Sequence, residues 1–78
     1  MIRIHLKNKR KELGLSLEEL AYKADVSYNY VLNIENGHQG DKASFLLMSK
    51  LAKSYEYSLD EFYSLELKYQ RSKGVLYD

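Results

Sequence analysis

The chain has no cysteine, no proline and no tryptophan. Without cysteine there is no disulfide framework, no thiolate metal site and no thiol nucleophile, a composition compatible with a reducing compartment. The histidines, His5 and His38, stand on separate segments away from paired carboxylates, and no HExxH, GxSxG or P-loop pattern occurs. These gaps argue against catalysis, and no metal, cofactor or small-molecule ligand is expected. No apolar run approaches the roughly 18 residues of a membrane span, and no secretory pattern opens the chain. The expectation is a soluble, cytoplasmic protein without a membrane partner. A strong charge of one sign is lacking too: 12 basic residues face 11 acidic ones, a net +1 that is weak for a nucleic-acid binder.

What is present is more pointed. Seventy-eight residues make one small domain near the lower limit for folding without staples. The aromatic content is eight Tyr against two Phe, side chains that pack in a core and still offer a hydroxyl to water, phosphate or a partner. Residues 3–11 hold Arg3, Lys7, Lys9, Arg10 and Lys11 with no acid, whereas residues 54–66 hold Glu56, Asp60, Glu61 and Glu66 with no base. Such a dipolar molecule can turn its basic end towards a polyanion; a solvated helix face accounts for the charge counts equally well.

The stretch Ser16–Gly37, SLEELAYKADVSYNYVLNIENG, reads as two short helices and a tight turn. Ser16 with Glu19 forms a reciprocal capping box. Leu17, Leu20, Ala21 and Ala24 then fall on one helical face over 17–24. Asp25 accepts the left-handed backbone that a sharp turn needs. Ser27 caps a second helix over 28–36, with Val31 and Ile34 inward and Gly37 as its stop. Helices this short require cover from elsewhere. Ile2, Leu6, Arg10 and Leu13 predict a first helix over 2–13, ended by Gly14, in preference to a strand over the first six residues. Phe45, Met48, Leu51, Ala52 and Tyr55 predict a fourth over 43–54, with Leu46 and Leu47 broadening its apolar band. Ser58 and Glu61 open a fifth with Leu59 and Phe62. Arg10 on an apolar face needs a partner, and Glu35 is the candidate for a structural ion pair.

These residues resemble the XRE/Cro-repressor family of helix-turn-helix DNA-binding proteins. The likeness covers about residues 2–63 and is carried by SLEELA, IENG and SLDEF in order. It implies an all-α, compact five-helix repressor-like bundle: a DNA-binding domain over 1–63 and a C-terminal extension over 64–78. In that extension a strand-like alternation of Leu65, Leu67 and Tyr69 competes with a continuation of the fifth helix. The family often pairs Arg and Glu at the positions of Arg10 and Glu35. Three departures stand out. Leu17 replaces a Gln common in relatives, the loop 38–44 is longer and lacks a Pro, and Glu56 replaces a Gly.

With Val31 and Ile34 inward, the outward face of the third helix offers Ser27, Tyr28, Asn29, Leu32 and Asn33. Asn suits the N6 and N7 edge of adenine, and a Tyr ring suits a thymine methyl. The resemblance places Tyr28, Asn29 and Asn33 at base-reading positions and gives Tyr30 a mixed packing and phosphate role. Without Arg or Lys on that helix, A·T-biased half-sites are expected. Ser16, Asn36, His38, Gln39 and Lys42 are the candidate backbone contacts. A single small domain covers little DNA, so a homodimer on a near-palindromic double-stranded operator follows, repression being the default outcome. Tyr57, Phe62, Leu65, Leu67 and Tyr69 are the expected dimer contacts. The competing reading is a protein-interaction module of the same fold, such as an antitoxin or an anti-regulator partner.

Overall fold

The computed structural model describes residues 1–73; residues 74–78, the end of the C-terminal extension, lie outside the described residues. Five helices follow one another: α1 (Ile4–Glu12), α2 (Leu17–Ala24), α3 (Tyr28–Glu35), α4 (Phe45–Ser54) and α5 (Leu59–Lys73). Contacts join α2 to α3, α2 to α4, α4 to α5 and α1 to α3. The helix-turn-helix pair is thereby covered from both sides, as its short helices require. Leu6, Leu20, Ala21, Ala24, Val31, Ile34, Leu51, Ala52, Tyr55 and Phe62 form the buried core.

The helix ends follow from local chemistry. Gly14 takes a φ of 71° after α1. There the Gly14 N–H donates to the Lys11 carbonyl and the Leu15 N–H to the Arg10 carbonyl, the paired bonds of a Schellman stop. Ser16 accepts the Glu19 N–H at 3.0 Å while the Glu19 carboxylate accepts the Ser16 N–H at 2.9 Å, a complete capping box. That pairing, the backbone N–H first and the hydroxyl second, holds the Glu19 carboxyl below its ordinary range. Among the described residues, Asp25 and Glu56 are the non-glycine positions with positive φ, 56° and 59°, at the ends of α2 and α4. Glu56 thus adopts the left-handed turn that a glycine would take at lower cost.

The structure corrects the sequence expectations at the N-terminus and decides between the two alternatives in the described part of the C-terminal extension. The inward face of α1 carries Leu6 and Arg10 as expected; ahead of the helix, Ile2 is 47% exposed and Arg3, 1% exposed, takes the inward place. The described part of the extension, residues 64–73, continues α5, the helical alternative of the two. Phe62, Glu66 and Tyr69 are the buried positions of α5, spaced four and three, and α5 runs across position 63 without a break. The alternation of Leu65, Leu67 and Tyr69 is outweighed by this longer helical spacing, which a buried acid had disguised. Phe45 is 72% exposed rather than inward: it opens α4 directly after the Ser44 cap, nearly two turns ahead of the buried Leu51 and Ala52.

Two expected dimer contacts are therefore spent inside their own chain. Phe62 belongs to the core, and Tyr69 is buried with its hydroxyl donating to the Met1 carbonyl at 2.6 Å. Tyr57 is half-buried, its ring against Phe62 and beneath Lys9 Nζ.

Candidate nucleic-acid interface

The frame of the interface is an ion pair beneath α3. Arg10 Nε donates to Glu35 Oε2 at 2.9 Å and Nη2 to Oε1 at 3.1 Å, while Nη1 donates to the Leu15 carbonyl at 3.0 Å. Tyr55, from α4, donates its hydroxyl to the same carboxylate at 2.7 Å. Burial first, then the charge of Glu35 and the bond to it, pushes the Tyr55 phenol far above its ordinary value, so it acts as a fixed donor. One carboxylate at the end of α3 thus gathers α1 and α4, which sets how α3 is presented.

On that frame, α3 buries Val31, Ile34 and Glu35. It leaves Ser27, Tyr28 and Asn29 exposed at its first turn, with Leu32, Asn33 and Asn36 half-buried further along. Ser27 accepts the Tyr30 N–H at 3.1 Å, so its oxygen caps the helix and its hydroxyl hydrogen stays available. Tyr30 is half-buried against the core. The N-terminal end of α3 therefore presents an uncharged polar face of the size that enters a major groove.

The loop after α3 folds back on it. The Asn33 carbonyl accepts the N–H groups of His38 and Gln39, and the Asn33 amide donates to the Gln39 side chain at 3.2 Å. Tyr30, His38, Gln39 and Lys42 converge around an open depression of about 330 Å³ that Gly40, Asp41 and Ala43 complete. Ser16 lies apart from this group, and its N–H is taken by Glu19. Its hydroxyl also faces the Glu19 carboxylate and would have to turn from it to reach a phosphate, because the capping carboxylate already occupies the helix N-terminus.

Sequence reasoning missed the support of this loop. Arg3 Nε donates to both Glu66 oxygens at 3.0 and 3.1 Å. Its Nη1 donates to the carbonyls of Ile34 and Gln39 at 2.9 and 2.7 Å, and Nη2 to Asp41 Oδ1 at 2.7 Å. The guanidinium also lies 4.5 Å from the Tyr69 ring centroid. Asp41 receives further bonds from Gln70 and Lys73, and Glu66 one from His5. Partial burial draws the Asp41 carboxyl upwards. The bonds from Lys73 and Gln70 and the charges of Lys73 and Arg3 outweigh it and hold the group below its ordinary value. The spacing of Arg3, Leu6 and Arg10, three and four, is the signal that would have found this residue. Two of the five cations counted in residues 3–11 are thus neutralised internally, and the basic end is smaller than the sequence implied.

No group of three or more His, Cys, Asp or Glu able to hold a metal ion occurs among the described residues, and none of their helices is long and apolar enough to cross a membrane.

A helix-turn-helix with a buried Arg–Glu–Tyr frame and an outward polar helix defines a class of DNA-binding regulator domain. The model of the helix-turn-helix family matches residues 6–62. The chain belongs to the XRE-type helix-turn-helix family, and family and fold make it a DNA-binding transcription regulator. Among solved structures it is similar to SinR, the master regulator for biofilm formation, in complex with DNA: 35% identity, a TM-score of 0.69, and 81% of this chain and 98% of that one covered. It is also similar to the SinR protein/SinI protein complex at 35% identity and a TM-score of 0.67, over 80% of this chain and 59% of that one. No curated sequence gives a match.

Proposed function

We propose that this chain is a sequence-specific regulator that reads double-stranded DNA with Tyr28, Asn29 and Asn33 and acts in the cytoplasm as a homodimer, by repression, on a near-palindromic operator. The observation that carries the reading is the division of α3, with Val31 and Ile34 buried and an uncharged polar face exposed at its N-terminal end. Asn29 and Asn33 favour adenine, and A·T-biased half-sites follow from the lack of a cation on α3. Phosphate contacts are assigned to His38, Gln39, Lys42, Tyr30 and Asn36, with Ser16 contributing a hydroxyl.

The homodimer is supported by apolar surface that the monomer leaves uncovered. Phe45, Leu46, Leu59 and Tyr63 are 72%, 74%, 49% and 65% exposed. Half-buried Leu65 and Leu67 lie further along α5. Apolar side chains gathered in this way mark an interaction surface more often than a plain solvent face.

Selection of bound sequences from a random duplex pool tests the reading. The expected result is a two-fold symmetric, A·T-rich site at which Asn29→Ala and Asn33→Ala each lose about 1–3 kcal/mol of discrimination. Absence of enrichment, together with no salt-dependent binding even at low ionic strength, overturns it.

One observation favours a second reading, a module that binds another protein. A hollow of about 450 Å³ between α4 and α5 is lined by the apolar Phe45, Met48, Leu59, Phe62 and Tyr63, with Asp60 and Glu66 completing it. The net charge of only +1 points the same way. A stoichiometric protein partner combined with no DNA binding at low salt is the outcome that selects this reading.

A further inference from the structure

We propose that Arg3 is a positioning residue for DNA binding, holding the loop 38–41 in the conformation that meets the DNA backbone. The inference rests on the DNA-binding reading above and deepens it.

By composition Arg3 is one more cation in a basic segment, available to a phosphate. Its surroundings exclude that use. The side chain is 1% exposed, and four of its five N–H groups are committed within the protein. The partners come from three places. Glu66 on α5 fixes the Nε edge, the Ile34 carbonyl near the end of α3 takes one N–H, and the loop supplies the Gln39 carbonyl and the Asp41 carboxylate. The loop is thus wrapped on the guanidinium. A Cβ at Gly40, whose φ is 103°, would lie 3.3 Å from both Nη1 and Nη2, so the backbone there passes directly over the planar group.

The consequence reaches the proposed reading face through Gln39. Its carbonyl is held by Arg3 while its side chain accepts the Asn33 amide proton. Arg3 therefore fixes the backbone from which a side chain orients an α3 amide. No other residue type supplies this. A lysine ammonium is a point charge without the planar fork, so it cannot serve Glu66, two carbonyls and Asp41 together.

The test separates positioning from charge and from stability. Two variants, Arg3→Lys and Asp41→Asn, are compared with the parent chain for binding to the duplex recovered by selection and to poly(dI-dC). Arg3→Lys conserves charge, so counterion release and non-specific affinity stay unchanged. Asp41→Asn removes a negative charge, so simple electrostatics makes all DNA binding tighter. Positioning instead lowers the ratio of specific to non-specific affinity by about tenfold in both, the order of one lost charge-assisted contact. It also shifts the amide resonances of His38 and Gln39. Asp41 is part-exposed, so its variant decides the matter if Arg3→Lys fails to fold. A purely structural role reduces the active fraction and leaves the ratio unchanged, and an unchanged ratio overturns the proposal. Failure of the DNA reading itself is distinct, because the parent chain then shows no selectivity.

Discussion

The Tyr55 hydroxyl and the Arg10 guanidinium meet on one carboxylate, that of Glu35, with Tyr55 donating at 2.7 Å from α4 and Arg10 at 2.9 Å from α1. Glu35 is 3% exposed and Arg10 8% exposed, so each charge depends on the other for its solvation. Arg10→Ala is expected to cost about 3–5 kcal/mol by stranding a buried carboxylate. Tyr55→Phe costs about 1–3 kcal/mol. The combined Arg10→Met, Glu35→Leu, Tyr55→Phe chain recovers most of the loss, because no charge remains to be solvated. Urea unfolding of the single and combined variants checks the ordering.

Glu56 holds a φ of 59° that only glycine adopts freely. Its carboxylate compensates weakly, lying 3.5 Å from Lys23 Nζ with both side chains well exposed. Glu56→Gly is therefore expected to stabilise the fold by about 1 kcal/mol, raising Tm by roughly 4–8 °C. An unchanged or lower Tm in a thermal melt contradicts the expectation.

Gly14 and Gly37 have similar φ values, 71° and 82°, in different surroundings. A Cβ at Gly14 meets nothing within 4 Å, whereas one at Gly37 overlaps the Met1 carbonyl and crowds the Tyr69 hydroxyl. Gly14→Ala should cost about 1 kcal/mol from backbone conformation alone. Gly37→Ala should cost more and release the N-terminal segment from α5. Differential scanning calorimetry ranks the two.

The depressed Asp41 carboxyl sets a pH dependence. Its folded value lies below the unfolded value of about 3.9, so its contribution is complete above that pH and fades as the pH falls through the folded value. The group is part-exposed, which limits the effect to about 1 kcal/mol or less. The stability gap between the parent chain and Asp41→Asn should stay constant from neutrality to about pH 4 and close below it. Denaturant titrations across that range provide the measurement.

Sequence legibility tracked how local each feature is. Capping boxes and glycine stops act within a few residues, and α2 occupies the span expected of it. Arg10 and Glu35 could be paired because Arg10 broke the apolar face of its helix and Glu35, at the end of the third, stands where the family resemblance places its partner. Arg3 escaped because Ile2 beside it offered a plausible apolar face, and because its partners lie as far away as Glu66. Tyr55 read as an ordinary core aromatic, since a phenol's donor role depends on what faces it. The run 65–69 stayed open between strand and helix because Glu66, a buried residue, looks like a solvent residue to any hydrophobicity count.

The contacts of Arg3 with Glu66 and of Met1 with Tyr69 join residues 63 and 68 positions apart. They close almost the whole chain into a loop, whereas the helix-turn-helix core is built from neighbours. Closing so long a loop is the entropically dearer step, so this seam forms after the α2–α3–α4 core and opens before it. Amide protons in the last turns of α5 should then exchange through partial opening, well ahead of those in α2 and α3, which wait for global unfolding.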